Sequence, residues 1–163
     1  MKKSLPQEKI KWVDIENIHI TLKFFGGTPE EKIDKICDAL EKSTFNHDPF
    51  KLSLRDVGIF GSSYKPRVIW FGIDQSVELQ KLADDIKYEL NEIGYEADRQ
   101  NFVPHITVGR IKIIENKKFF QKVIDENKSG FIQEIPVEEI VLYESILHRT
   151  GPEYISIEKI MLG

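Results

Sequence analysis

One short motif is written twice in this sequence. His-Ile-Thr stands at residues 19–21 and again at 105–107, so the copies begin at positions 19 and 105, 86 residues apart in a chain of 163. Chance placement of the 4 histidines and 5 threonines gives only about 0.1 His-x-Thr pairs. The pattern after each copy repeats as well: an amphipathic helix, then two strands. So long a period marks a twofold duplication, because solenoid repeats run about 20–50 residues. The expected fold is α+β, with two lobes related by a pseudo-twofold axis. Each lobe is an antiparallel sheet with helices on its outer face, and the active-site groove lies between the lobes. Domains average roughly 150 residues, and no linker or low-complexity stretch interrupts the chain, so both lobes fall in a single domain over residues 1–163.

Local signals fill in this plan. Residues 17–25 (Asn-Ile-His-Ile-Thr-Leu-Lys-Phe-Phe) are rich in β-branched and aromatic types and stop at Gly26-Gly27, which predicts a strand. Thr28-Pro29-Glu30-Glu31 reads as a capping box opening a helix to about Ser43. Strands are expected at 50–60 and 67–73 around a hairpin loop at 61–65, then a helix over 76–93 closed by Gly94. The second copy predicts a strand at 103–112, a helix at 116–126, and strands at 135–147 and 154–160 joined by a turn at 149–152. Residues 2–10 read as the tail of a helix.

In a strand, residues i and i+2 share a face about 7 Å apart. His19 therefore stands beside Thr21, and His105 beside Thr107, each pair backed by isoleucine, leucine or valine. Two imidazoles and two hydroxyls brought together suit acid–base displacement at phosphorus. One neutral imidazole takes a proton from water, and one imidazolium gives a proton to the leaving oxygen. Both forms coexist near neutrality because an imidazole ordinarily titrates near 6.5. The hydroxyls donate to the non-bridging oxygens. The alternative is two strand histidines satisfied by backbone groups, with threonines present for β-propensity.

Charge sharpens the ligand class. With 23 basic against 27 acidic residues the net charge is −4, which argues against a broad basic face for duplex DNA but allows a pocket for one phosphate. The single Cys37 falls on the apolar stripe of Ile33, Ile36 and Leu40, so a core role is expected, and nothing in the cysteine count favours an oxidising compartment. The basic start lacks the apolar stretch of a signal peptide, and no window is apolar enough for a membrane helix; the expectation is a cytoplasmic protein that binds no membrane. His47 reads as a solvated turn residue, His148 as a surface residue, and Asp84-Asp85 as a solvated helix face. No spaced His/Cys/Asp ligand set, P-loop, nucleophile elbow or dinucleotide fingerprint is present, so no metal and no cofactor is expected.

Two segments, residues 17–26 (Asn-Ile-His-Ile-Thr-Leu-Lys-Phe-Phe-Gly) and 104–110 (Pro-His-Ile-Thr-Val-Gly-Arg), resemble the paired motifs of the two-histidine phosphoesterases. Within them the sequence is most similar to the RNA 2′,3′-cyclic phosphodiesterase, or 2′-5′ RNA ligase-like (LigT-like), family; Pro66 to Trp70 and the ending from Tyr154 fit as well. The resemblance implies hydrolysis of RNA or nucleotide 2′,3′-cyclic phosphate to a 2′-phosphomonoester without a metal. It implies His19 as proton donor to the departing 3′ oxygen and His105 as proton acceptor. Thr21 and Thr107 would hold the phosphate, Arg110 would contact substrate, and Phe24 would lie near the nucleotide. Simple alternation puts Phe24 and Arg110 on the face opposite the histidines, so each needs a bulge or twist to reach the site. The partners implied are RNA ends or small nucleotides bearing the cyclic phosphate, acted on by a monomer. The loop at 61–65 and the segment 94–102, with Arg99, are expected to line the groove. Two other readings stay open: a non-catalytic nucleotide or RNA-end binding module, and a reversible 2′-5′ RNA ligase. Family members open with a further strand and helix, whereas 18 residues precede His19 here, so that first strand is expected to be missing.

Overall fold

The computed structural model describes residues 2–62, 64–96, 102–149 and 151–163. In chain order these hold β1 (Lys9–Trp12), α1 (Ile33–Thr44), β2 (Phe50–Gly61), β3 (Pro66–Ile73), α2 (Val77–Glu92), β4 (His105–Ile113), α3 (Lys117–Glu126), β5 (Phe131–Val137), β6 (Glu139–His148) and β7 (Gly151–Met161). The fold is α+β. One sheet has the order β1-β4-β3-β2-β5 and the other pairs β6 with β7. Two compact units result, each assembled from three stretches of chain rather than from one sequence half. The first takes Met1–Thr21, Ser53–Asp74 and Val103–Ile135; the second takes Leu22–Leu52, Gln75–Phe102 and Pro136–Gly163.

The first unit packs α3 on one face of its sheet. Phe120, Val123 and Ile124, at helical spacing, meet Leu54, Val57, Ile69, Ile106 and Val108 from the strands. Residues 2–10, expected as a helix tail, instead supply a short 3₁₀ turn at Lys2–Ser4 and then β1. The alternation Lys9-Ile10-Lys11-Trp12 has period 2, and Ile10 and Trp12 pack into this core. Leu5 is buried here too, and the buried Glu8 carboxylate accepts the backbone N–H groups of Glu115 at 2.6 Å and Asn116 at 3.2 Å, at the start of α3. A carboxylate there satisfies orphan donors and complements the helix dipole. β2 carries a bulge at Asp56, a non-glycine residue at φ 58°. It is held by mutual bonds: Asp56 N–H donates to Gly130 O at 3.0 Å, and Gly130 N–H donates to Asp56 Oδ1 at 2.9 Å.

The second unit lays α1 and α2 with the β6–β7 hairpin. Ile36, Ala39 and Leu40 of α1 and Leu82, Ile86 and Leu90 of α2 bury against Ile140, Leu142, Ile160 and Leu162. Cys37 packs at the margin of this core, as its stripe predicts. Burial first, and then the carboxylates of Glu158, Asp34, Glu41 and Asp38, push its thiol pKa up. Ser76 caps α2, its Oγ accepting the Leu79 N–H at 3.1 Å.

Several local expectations are corrected. The capping box at Thr28 does not form: a 3₁₀ turn at Glu30–Lys32 precedes α1, and Thr28 Oγ1 is buried without a hydrogen-bond partner among the described residues. His47 is not a solvated turn residue. It is buried, with Nε2 2.8 Å from Asp85 Oδ2, so Asp85 is a partner across to α2 and not merely a solvated charge. The strand expected over 135–147 is two strands, broken at Glu138, whose carbonyl accepts Leu162 N–H. His148 is at the surface as expected, paired with Glu153 at 2.7 Å. No helix among the described residues is long and apolar enough to cross a membrane.

Candidate active site

β4 carries the second motif, and its register with β3 fixes which side chains share a face. Gly72 lies opposite His105, Trp70 opposite Thr107, and Val68 opposite Arg110, with the register shifting between Ile69 and Trp70. Val68, Trp70 and Gly72 alternate on one side of β3, so their partners His105, Thr107 and Arg110 share that side. The extra residue in β4 is the bulge that Arg110 needed. Val108 and Gly109 are both buried in succession, and Arg110 emerges exposed on the histidine face. Gly109 itself faces the core, where an added Cβ would stand 2.9 Å from Ile10 and 3.2 Å from the Trp12 ring.

The first motif is not the strand its composition predicts. A 3₁₀ turn at Ile15–Asn17 precedes it, and only Ile20 pairs, through an isolated antiparallel bridge to Ile106. Strand propensity describes residues that fit a half-buried ladder, and here the chain passes into the second unit at Leu22, too soon to build one. The single bridge still sets the chemistry. Antiparallel register through Ile20 and Ile106 puts His19 across from Thr107 and Thr21 across from His105. Both isoleucines pack in the core under α3, which leaves the two His/Thr pairs on the other side.

Both imidazoles are oriented in the same way. His19 Nδ1–H donates to Asn17 O at 2.9 Å, and His105 Nδ1–H donates to Val103 O at 2.8 Å, each to the carbonyl two residues upstream. A carbonyl can only accept, so Nδ1 carries the hydrogen and Nε2 is the basic nitrogen in both rings. Phe60 of β2 presses on His105 with ring centroids 4.8 Å apart at 84°, and stacks on Trp70 at 5.4 Å. Trp70 Nε1 is buried with no hydrogen-bond partner among the described residues. Sequence reasoning does not place Phe60 and Trp70 beside the histidines. The alternation Val68-Ile69-Trp70-Phe71-Gly72 contains the signal for Trp70.

Phe24 lies in the second unit, 73 % exposed, so it is not a core residue. Tyr64, in the loop at 61–65, holds Lys117 Nζ 4.0 Å from its ring centroid, which ties that loop to the start of α3. Arg99, Ser63 and Thr150 lie outside the described residues. Among the described residues no group of three or more His, Cys, Asp or Glu side chains is placed to hold a metal ion.

An α+β fold with antiparallel pairing is shared with solved LigT structures. The chain belongs to the LigT like phosphoesterase family, whose sequence model matches residues 1–70 and 72–154, and is thereby a hydrolase. A Methanothermobacter thermautotrophicus protein named RNA 2′,3′-cyclic phosphodiesterase is 32% identical over 150 residues, 92% of this chain and 81% of the relative. One of the same name from Methanocaldococcus jannaschii is 38% identical over 145 residues, 89% of this chain and 80% of the relative. Among solved structures, a Thermus thermophilus protein matches with TM-score 0.83 and 27% identity, over 99% of this chain and 87% of its own. E. coli LigT complexed with 3′-AMP matches with TM-score 0.75 and 26% identity, over 98% and 85%.

Proposed function

We propose that this protein hydrolyses 2′,3′-cyclic phosphate at RNA ends or on small nucleotides, leaving a 2′-phosphomonoester, with His19 and His105 as the acid–base pair and no metal. The carrying observation is the matched Nδ1 bonds to Asn17 O and Val103 O, which support Nε2 as the nitrogen that transfers the proton in each ring. The relatives' names supply the substrate class.

In this reading water attacks phosphorus in line with the P–O3′ bond. His105 Nε2 takes the water proton as the new P–O bond forms. The P–O3′ bond breaks, and its electron pair takes the proton held at His19 Nε2. The products are a 3′-hydroxyl and a 2′-phosphate. Thr21 and Thr107 donate to the non-bridging oxygens, and Arg110, brought to the same face by the bulge, contacts the substrate. Phe24 serves as a base contact. The pseudo-twofold duplication within a single domain stays part of this proposal.

The test is a short RNA ending in 2′,3′-cyclic phosphate, incubated with the protein in EDTA and analysed for the 2′-phosphomonoester. Turnover is expected to persist in EDTA and to fall about 10²–10⁴-fold in both His19→Ala and His105→Ala. Unchanged turnover in the two variants, or release of a 3′-phosphate, defeats the proposal. The wild-type assay also separates catalysis from binding, since a pure binding module turns over nothing even as wild type.

A further inference from the structure

Lys11 of β1 lies directly opposite Arg110 of β4 in the antiparallel register. Ile10 and Trp12 on either side pack into the core, so Lys11 projects with Arg110 on the histidine face, and both are exposed. Like charges directly opposite each other destabilise a strand pair. Among the described residues neither cation has an ion-pair partner, although Lys9 on the same strand pairs with Glu115 at 3.7 Å. A bound anion would relieve their repulsion.

Spacing names the anion. Arg110 stands about 7 Å beyond Thr107 along the strand, and Lys11 another ~5 Å across to the neighbouring strand. This is the scale of one nucleotide step from the phosphate held at the threonines. We infer that Lys11, with Arg110, forms a subsite for the phosphodiester one nucleotide upstream of the reacting cyclic phosphate, so that the enzyme favours an oligonucleotide end over a free cyclic mononucleotide. The inference rests on the phosphoesterase reading above, which places the reacting phosphate at the His/Thr pairs.

The experiment compares kcat/KM on a 2′,3′-cyclic mononucleotide and on a short oligonucleotide with the same end, for wild type, Lys11→Gln, Lys11→Arg and Lys9→Gln, across a salt series. Lys11→Gln is expected to lose about three- to tenfold on the oligonucleotide, through KM, with a salt slope shallower by about 0.7 and no change on the mononucleotide. Lys11→Arg restores the preference, and Lys9→Gln leaves both substrates unchanged. An equal loss on both substrates, or no loss on the oligonucleotide, overturns the subsite. If wild type turns over neither substrate, the hydrolysis reading fails and Lys11 is judged by anisotropy of a labelled oligonucleotide ending in a 2′-phosphate. Three- to tenfold weaker binding by Lys11→Gln sustains the subsite, and equal binding overturns it.

Discussion

The indole of Trp70 fills the space that a side chain at Gly58 would need: a Cβ there would clash with the ring. The two residues are paired across β2 and β3, and the absent side chain lets the ring lie over β2 beside Phe60. Gly58→Ala must therefore displace the indole. The expected cost is about 1–3 kcal/mol. A lowered denaturation midpoint with altered tryptophan emission checks this, and phosphodiesterase activity should fall with it because the Phe60–His105 contact depends on the same ring stack.

Crossing of the motifs makes the threonines testable apart from the histidines. Thr107 lies across from His19 and Thr21 across from His105, so each hydroxyl proposed to hold the phosphate stands beside the imidazole of the other motif. Thr21→Val and Thr107→Val keep the shape and remove one donor each. Each is expected to lower kcat about 10²-fold while thermal stability stays within about 0.5 kcal/mol. Steady-state kinetics on the cyclic-phosphate RNA, with a melting curve for each variant, gives the answer.

Glu8 offers a stability test far from the histidines. Its buried carboxylate accepts two N–H groups at the start of α3. Glu8→Ala leaves those part-buried donors without their carboxylate, for an expected loss of about 1–2 kcal/mol. Urea titration should show a lower midpoint with an unchanged slope. An unchanged midpoint would remove the cap from the account of the fold.

The Cys37 thiol provides a pH-dependent readout. Burial and the carboxylates of Glu158, Asp34, Glu41 and Asp38 raise its pKa above the ordinary ~8.5 of a free thiol. At pH 8 the folded protein should thus be alkylated by iodoacetamide more slowly than the urea-unfolded chain. The folded state holds this proton more tightly than the unfolded state. Its contribution to stability is complete below the unfolded pKa and declines as pH rises through the folded one. Equal alkylation rates folded and unfolded would contradict this environment.

Long periodic segments are readable from the sequence, and isolated pairings are not. The stripe of Ile36, Ala39 and Leu40 and that of Leu82, Ile86 and Leu90 place α1 and α2 correctly because helix burial is a local pattern. β1 escapes detection because four residues of alternation are too few to outweigh a neighbouring helical composition. His47 resembles a turn residue because its partner Asp85 is distant in sequence. In the site, the repeated motif suggests the acid–base chemistry proposed above, and alternation states the need for a bulge at Arg110. Only the pairing register shows where the extra residue sits. The crossing of His19 with Thr107 rests on a single bridge, for which a sequence has no signature.

The bonds from Glu8 to the backbone of Glu115 and Asn116 span 107 and 108 residues. During synthesis, residues 2–12 leave the ribosome long before their partners in β4 and α3. The first unit therefore closes late, with β1 waiting as an unpaired edge while loop-closure entropy opposes its docking. The histidine face inherits that delay. A nascent chain cut short before α3 holds both His-Ile-Thr motifs but lacks the helix that caps on Glu8 and packs beneath Ile20 and Ile106, so catalytic competence arrives with α3 rather than with the second histidine.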